Sequence, residues 1–185
     1  MHSPSGPPAC GYNVDMVRVE YVLDSWKAVR QDTASAVDDF PAAAFDFRPA
    51  PGTMTFGEAA RHILDASDGL TGLLLAGDDD FTAPDFRDKM KSHMRRLAGN
   101  GGAPELAAAL RESVEQRTAA LAARPEAFWE HFIVRFDGQR VTRLEMVQMI
   151  KEHELTHRAH LFLCLRMKGI IPATTRRRLA KQAGQ

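Results

Sequence analysis

Cysteine is scarce in this chain, which contains only Cys10 and Cys164 among its 185 residues. Two cysteines cannot form the dense disulfide framework of small secreted domains, so the composition fits a reducing compartment. The first dozen residues, MHSPSGPPACGY, lack the apolar segment of a secretory signal, and no uninterrupted apolar run reaches the ~18 residues that a membrane span needs. We therefore expect no membrane association, and a cytoplasmic location.

Net charge is also lacking, because the 24 Lys and Arg residues balance the 24 Asp and Glu residues. This balance argues against nonspecific nucleic-acid binding as the main task. Acidic residues are absent after Glu154, and the end of the chain is basic. We favour a solvated tail and the preference of helix C-termini for cations over a nucleic-acid arm.

The length suits one domain, which we place at residues 14–172 between a Pro/Gly/Ser-rich flexible leader (1–13) and a basic C-terminal tail (173–185). Apolar residues at three- and four-residue steps predict a first helix from Val14 to about Phe40. The Thr55–Glu58 capping box opens a second helix, which runs to about Ala76.

Gly69 and Gly72 weaken this second helix, and we expect them to allow close approach by a neighbouring helix. A short helix follows, with Phe86, Met90, Met94 and Leu97 at helical spacing. Pro104 then opens a third long helix, which runs to about Arg124.

The segment from Trp129 to Val141 is β-prone and contains the turn dipeptide Asp137-Gly138, so it predicts a short extended excursion or hairpin. Thr142 caps the fourth long helix, which continues to about Lys168 and is stopped by Gly169. Four long helices with one extended insertion before the last predict an all-α, four-helix bundle.

Three histidines stand at helical spacing in the fourth long helix: His153, His157 and His160. With His153 at zero, a rotation of about 100° per residue puts His157 at roughly +40° and His160 at roughly −20°. Met146, Ile150 and Cys164 fall on the same side, so we expect the histidines in the middle of the buried face. Buried imidazoles need partners, and a divalent metal explains this pattern best.

A third ligand must come from another helix if two histidines of this helix bind an ion at a site with an open position. His62 is best placed, because it lies beside the apolar face of the second helix; His2, His93 and His131 are in less suitable segments. The alternative is that His62 is a boundary histidine bonded to Glu58 or Asp65.

The stretch from His153 to His157 also matches the zinc-protease motif H-E-x-x-H. Such proteases need a further ligand downstream, yet no acidic residue follows Glu154, and residue 163 is Leu. A ferritin-like di-iron site would need two Glu-x-x-His motifs, and the chain has one. We favour neither the zinc-protease nor the di-iron interpretation.

These residues together resemble the DinB/YfiT-like family of metal-dependent helical proteins. Phe47-Arg-Pro, followed by a helix carrying His62, resembles the family's approach to its first metal histidine. The run from His153 to Leu161 resembles its H-x-x-x-H-R-G-Q-L motif, and Leu165–Pro172 resembles its closing L-R-x-x-G-x-x-P. Ala159 stands in place of the usual Gly, and His160 in place of the usual Gln.

The resemblance implies a four-helix bundle that holds zinc or nickel through His62, His153 and His157. His160 and Glu58 are candidates for side chains that support these ligands, and His160 is also a candidate alternative ligand or proton carrier. Relatives include transferases and isomerases that use low-molecular-weight thiols.

We therefore expect a metal-dependent transferase that uses such a thiol on a small-molecule substrate. A metal-dependent hydrolase, or a non-enzymatic stress or interaction protein with a structural ion, is the alternative. Because the bundle has little spare core and no net charge, and because family relatives are often dimeric, we also expect a homodimer.

Overall fold

The computed structural model describes residues 18–97 and 102–184. Within them the chain is helical apart from one small hairpin and the connecting segments. The helices are α1 (Val19–Asp39), α2 (Phe56–Ala76), α3 (Phe86–His93), α4 (Ala103–Ala122), α5 (Glu126–Glu130), α6 (Arg143–Met167) and α7 (Ala173–Ala183), and the strands are β1 (Phe132–Val134) and β2 (Arg140–Thr142). The expected all-α bundle is confirmed.

The long helices α1, α2, α4 and α6 form a four-cornered bundle. Helix α1 packs against α4 and α6, and α2 packs against the same two helices. Consequently α1 and α2, which follow each other in the chain, lie at opposite corners. Helix α6 therefore faces both α1 and α2, and this position lets its side chains meet partners from either helix.

The predicted ends of α2 and α6 agree with the structure. Thr55 and Thr142 each accept a hydrogen bond from the N–H of a glutamate three residues later, and each glutamate bonds back to the threonine N–H. Helix α6 ends just before Gly169, which has a φ of 76°. These local interactions fix the ends of the two helices that carry the candidate histidines.

The close approach expected at the two α2 glycines is also present, because α3 lies directly on them. A Cβ added at Gly69 would lie 2.5 Å from Cγ of Met90, and one at Gly72 would lie 2.3 Å from Cβ of His93. Helix α3 is shorter than the apolar spacing suggested, since it ends at His93, before Met94 and Leu97.

The hairpin expected before the last long helix is present, with β1 and β2 antiparallel and Ile133 opposite Val141. Its turn contains Gly138 at a φ of 81°. Trp129, however, was expected in the extended segment and instead belongs to the short helix α5. Pro125 precedes that helix, and the buried Trp129 side chain packs into the core.

The sequence makes a prediction for each end of the chain: a flexible leader and a basic tail. The proposed leader and the predicted helix residues before Arg18 lie outside the described residues, and α1 begins at Val19, after an extended Arg18, and not at Val14 as predicted. Most of the basic segment after Pro172 forms α7, which packs against α1 and pairs Arg176 with Asp39 at 2.8 Å. Among the described residues, no helix combines the length and apolar content that a membrane crossing requires.

Two apolar clusters fill the bundle, and a layer of buried polar groups lies between them. One cluster surrounds Phe56 and Leu110, and the other surrounds Trp26 and Ile150. Each long helix has buried polar residues that fall between the two sets in sequence: Arg30 and Thr33 on α1, Ser67 on α2, Ser113 on α4 and Glu154 on α6. The candidate histidines of α6 stand at the level of this layer.

Candidate metal centre

Helices α2 and α6 bring three imidazoles to one point. His62 lies in the second turn of α2, and His153 and His157 lie one turn apart on α6. Nε2 of His153 is 3.2 Å from Nε2 of His62 and 3.1 Å from Nε2 of His157. The ligand atoms of all three lie within 4.8 Å of one another, so they form a cluster that could hold a metal ion.

These separations suit a single small cation. Zinc binds histidine nitrogen at about 2.0–2.1 Å, and tetrahedral geometry then separates two such nitrogens by about 3.3 Å. The observed Nε2 separations of 3.1 and 3.2 Å need only a small adjustment to reach this value. Imidazole is also a ligand that zinc and nickel share. The donor set therefore fits the ion implied by the resemblance.

Hydrogen bonding alone cannot satisfy the same arrangement. An imidazole nitrogen carries either a proton or one in-plane lone pair, so it makes one good hydrogen bond. Nε2 of His153 nevertheless faces two other ring nitrogens within 3.2 Å. A cation that accepts all three lone pairs resolves this conflict.

His153 lies at the edge of the buried face of α6, not in its middle as the sequence suggested. With His153 at zero, the buried Met146, Ile150, Glu154 and Leu161 fall between roughly +20° and +100°. His153 at zero falls outside this range and His157 at roughly +40° falls inside it, and both side chains are half-buried. The buried face also includes Glu154, a charged residue that the sequence did not place there. A half-buried cluster remains within reach of small molecules.

The family model for the DinB superfamily matches residues 25–161, which include all three histidines. This chain belongs to the DinB superfamily. No curated protein matches it.

Solved structures with the same fold include two Bacillus subtilis proteins. The DinB-like protein YjoA is 19% identical, with a TM-score of 0.62, over 80% of this chain and 92% of that one. YfiT, described as "a probable metal-dependent hydrolase with an unusual four-helix bundle topology", is 15% identical, with a TM-score of 0.63, over 91% and 94%. A mycothiol-dependent maleylpyruvate isomerase is 17% identical, with a TM-score of 0.61, over 78% of this chain and 61% of the isomerase.

Burial and the neighbouring imidazoles lower the pKa values of the two α6 histidines of this DinB chain. Desolvation is the main cause that lowers the pKa of His153, followed by the neighbouring His62. The pKa of His157 is lowered to about 4, mainly by desolvation and further by His153, His62 and His160. A neutral imidazole has its lone pair free, so these rings are ready as ligands at neutral pH.

Glu154, the glutamate of the H-E-x-x-H match, points away from the histidine cluster. Its side chain is 1% exposed, and its carboxylate accepts hydrogen bonds from Trp26 Nε1 at 2.8 Å, Thr33 Oγ1 at 2.7 Å and the Arg30 guanidinium at 2.8 Å. A general base must reach the proton that it abstracts, and this carboxylate is enclosed by α1. The structure therefore argues against a zinc-protease arrangement.

The remaining candidates have different surroundings. The carboxylate of Glu58 accepts from Thr55 N at 2.7 Å and from Arg48 at 3.3 Å, so it serves the α2 capping box and not His62. His160 is half-buried, and its Nε2 is buried without a partner in the described part of the chain. Within that part, the cluster contains no fourth His, Cys, Asp or Glu. Cys164 is fully buried in the apolar core, which raises the pKa of its thiol.

Proposed function

We propose that the chain binds one divalent ion, zinc or nickel, through Nε2 of His62, His153 and His157. The observation that carries this proposal is the convergence of three Nε2 atoms within 4.8 Å from two helices. Membership of the DinB superfamily supports it, because the matched region contains all three residues. Three protein ligands are typical of a catalytic zinc site, whereas structural sites use four.

The proposed activity is transfer chemistry between a low-molecular-weight thiol and a small-molecule substrate. A divalent ion at such a site lowers the pKa of a thiol or water that binds to it. Three neutral imidazoles contribute no negative charge, so they favour an anionic thiolate as the next ligand. The half-buried edge of the bundle lets a small thiol reach them, and the fold's likeness to a mycothiol-dependent isomerase supports this choice. His160 is our candidate for a supporting donor or proton carrier beside the ligands.

A metal-dependent hydrolase is the second candidate, favoured by the likeness to YfiT, which aligns over nearly the whole of both chains. The same three imidazoles would serve that reaction, with water in place of the thiol. A structural ion in a non-enzymatic protein is the third reading, and a fourth protein ligand would support it. The cytoplasmic location expected from the sequence stays a prediction.

Metal binding is tested by His153→Ala/His157→Ala, in which two of the three ligands are lost. After dialysis, elemental analysis of the wild type is expected to give about one zinc or nickel per chain, and the double variant close to none. His131→Ala is a matched control, because His131 is exposed and pairs with Asp79 far from the cluster. Full retention of metal in the double variant contradicts the assignment.

Thiol chemistry is tested separately with the cobalt-substituted protein. Binding of a small thiol is expected to add a thiolate-to-cobalt charge-transfer band in the near ultraviolet as the thiol is titrated. No change up to millimolar thiol would remove the transferase proposal and leave the hydrolase and structural readings. If cobalt binds but its spectrum does not respond to thiol, the metal-binding proposal stands and only the thiol chemistry is contradicted.

A further inference from the structure

A buried ion pair crosses the bundle directly behind the histidine cluster. Arg30 on α1 and Glu154 on α6 have 0% and 1% exposed side chains, and Arg30 Nε lies 2.8 Å from Glu154 Oε1. Glu154 follows His153 in the chain and precedes His157 by three residues. Any rotation of α6 that moved Glu154 would therefore move both histidines as well.

The pair contacts every long helix. Arg30 Nη2 donates to Ser67 Oγ on α2 at 2.8 Å, and Nη1 donates to the Leu110 carbonyl on α4 at 3.2 Å. Trp26 and Thr33, one turn to either side of Arg30 on α1, also donate to Glu154. The network thus links α6 to α1, α2 and α4 at one level of the bundle. Burying two charges is costly, and this number of well-aligned hydrogen bonds is what offsets the cost.

Among the described residues, the histidine rings have no hydrogen-bond partner of the kind that usually supports metal ligands. A ligating histidine ordinarily donates its second ring N–H to a carboxylate or a backbone carbonyl. In residues 18–97 and 102–184, the hydrogen-bond contacts of His62, His153 and His157 are those to one another. The direction of each ring is therefore set by the helix that carries it, and above all by the rotation of α6 relative to α2.

We propose that Arg30 and Glu154 are positioning residues for the metal centre: their ion pair fixes the rotation of α6 so that His153 and His157 face His62. This inference rests on the proposed metal binding. The bidentate contact of a planar guanidinium with a carboxylate restricts both distance and orientation, unlike an apolar contact that tolerates sliding. Ser67, five residues after His62 on α2, ties the same guanidinium to the helix that supplies the third ligand.

The test uses a neutral double variant, Arg30→Met/Glu154→Gln, which removes both charges together and leaves neither one buried and unpaired. Its matched control is Asp68→Asn/Arg117→Met. That pair joins α2 to α4, with Arg117 Nε 3.1 Å from the 1% exposed Asp68, and has no member on α6. Cobalt affinity is measured by chelator competition, the ligand field by the visible cobalt spectrum, and stability by urea unfolding.

We expect the Arg30/Glu154 variant to bind cobalt about tenfold more weakly and with an altered visible spectrum. The control should keep the wild-type spectrum and an affinity within about twofold of wild type. Wild-type affinity and spectrum in the Arg30/Glu154 variant would overturn the inference. Equal weakening in both variants would also overturn it, because affinity would then follow global stability.

If the double variant does not fold, single hydrogen bonds to Glu154 can be removed by Thr33→Val and Trp26→Phe. Weaker cobalt binding and an altered spectrum in these folded variants would support the positioning role, and wild-type behaviour in both would contradict it. Failure of the proposed function is distinguishable, because it would appear as absent metal binding in the wild-type chain.

Discussion

The low pKa of His157 has a consequence for the metal-free protein in acid. The pKa is about 4 in the folded chain, whereas an unperturbed histidine has a value of 6.5. Between these values the unfolded state binds more protons than the folded state, so lowering the pH through this window favours unfolding. The lowered pKa of His153 acts in the same direction. We predict that the chelator-treated protein loses stability between pH 7 and pH 5.

Urea unfolding in the presence of chelator measures this effect, with His157→Gln as the comparison. The variant lacks a group that takes up about one proton on unfolding, so its stability should depend less steeply on pH. The capping glutamates Glu58 and Glu145 do not contribute to the slope between pH 7 and pH 5, because their pKa values are lowered from the usual 4.5. Equal slopes in wild type and variant would contradict the prediction.

Single residues also show what the sequence could and could not predict. The three histidines were recognisable because helix periodicity and a family motif both mark them. The interior position of Glu154 was not, because its partner Arg30 lies 124 residues away. A signal was nevertheless present: Arg30 falls on the apolar face of the first helix, between Trp26 and Val37. Two opposite charges at core positions of two helices are a reason to expect a buried ion pair.

At the scale of elements, the helices whose ends are marked by capping residues were predicted well. Helix α2 extends from Phe56 to Ala76 as expected, because its capping box is a local interaction. Helix α5 was missed because it has only five residues, and such a segment shows no periodicity. The sequence predicts a tail where α7 forms, because the basic residues of this helix mark no buried face. Its contact with α1 includes the ion pair of Arg176 with Asp39.

The α2–α3 contact supports a prediction about Gly72→Ala. In an exposed helix this change would be favourable by about 1 kcal/mol. Here the new Cβ would lie 2.3 Å from His93 Cβ and 2.4 Å from its Cγ, so α3 must move. Overpacking typically costs about 1–3 kcal/mol, and it should outweigh the gain in helix propensity. We predict a net loss of stability in urea unfolding.

Ser92→Ala is the matched control for this variant. Ser92 is an exposed residue of α3 next to His93, so its replacement reports helix propensity without a clash. The control should keep or slightly increase stability. Metal content per folded chain should stay unchanged in Gly72→Ala, because His62 is ten residues away. A Gly72→Ala protein as stable as the wild type would show that α3 is not held against α2.

At the scale of the whole molecule, the order of the helices around the bundle could not be deduced from local signals. Helices that follow each other in the chain usually pack side by side. Here α1 and α2 occupy opposite corners, because both pack against α4 and α6. The buried network of Arg30, Ser67, Leu110 and Glu154 uses this arrangement, since its four residues come from four different helices. Periodicity shows which face of a helix is buried, but not which other helix that face contacts.

The expected homodimer belongs to this scale too. Leu163 and Met167 lie one turn apart on α6 and are each 52% exposed. Paired apolar side chains on an open helix face favour association with another surface, and a chain without net charge does not repel its own copy. We predict a dimer through this face, so light scattering at micromolar concentration should give about twice the chain mass of 20.5 kDa.

Leu163→Glu/Met167→Glu should convert the dimer to a monomer, because it would place charges in the interface. Tyr21→Glu/Phe136→Glu is the matched control, since these side chains are 62% and 53% exposed and belong to other parts of the molecule. A wild-type mass near 20.5 kDa would exclude the dimer at that concentration. A dimer that survives the α6 substitutions but not the control pair would instead place the interface away from α6. Because the substituted positions are exposed, bound metal per chain should be the same in all three proteins, which separates assembly from metal binding.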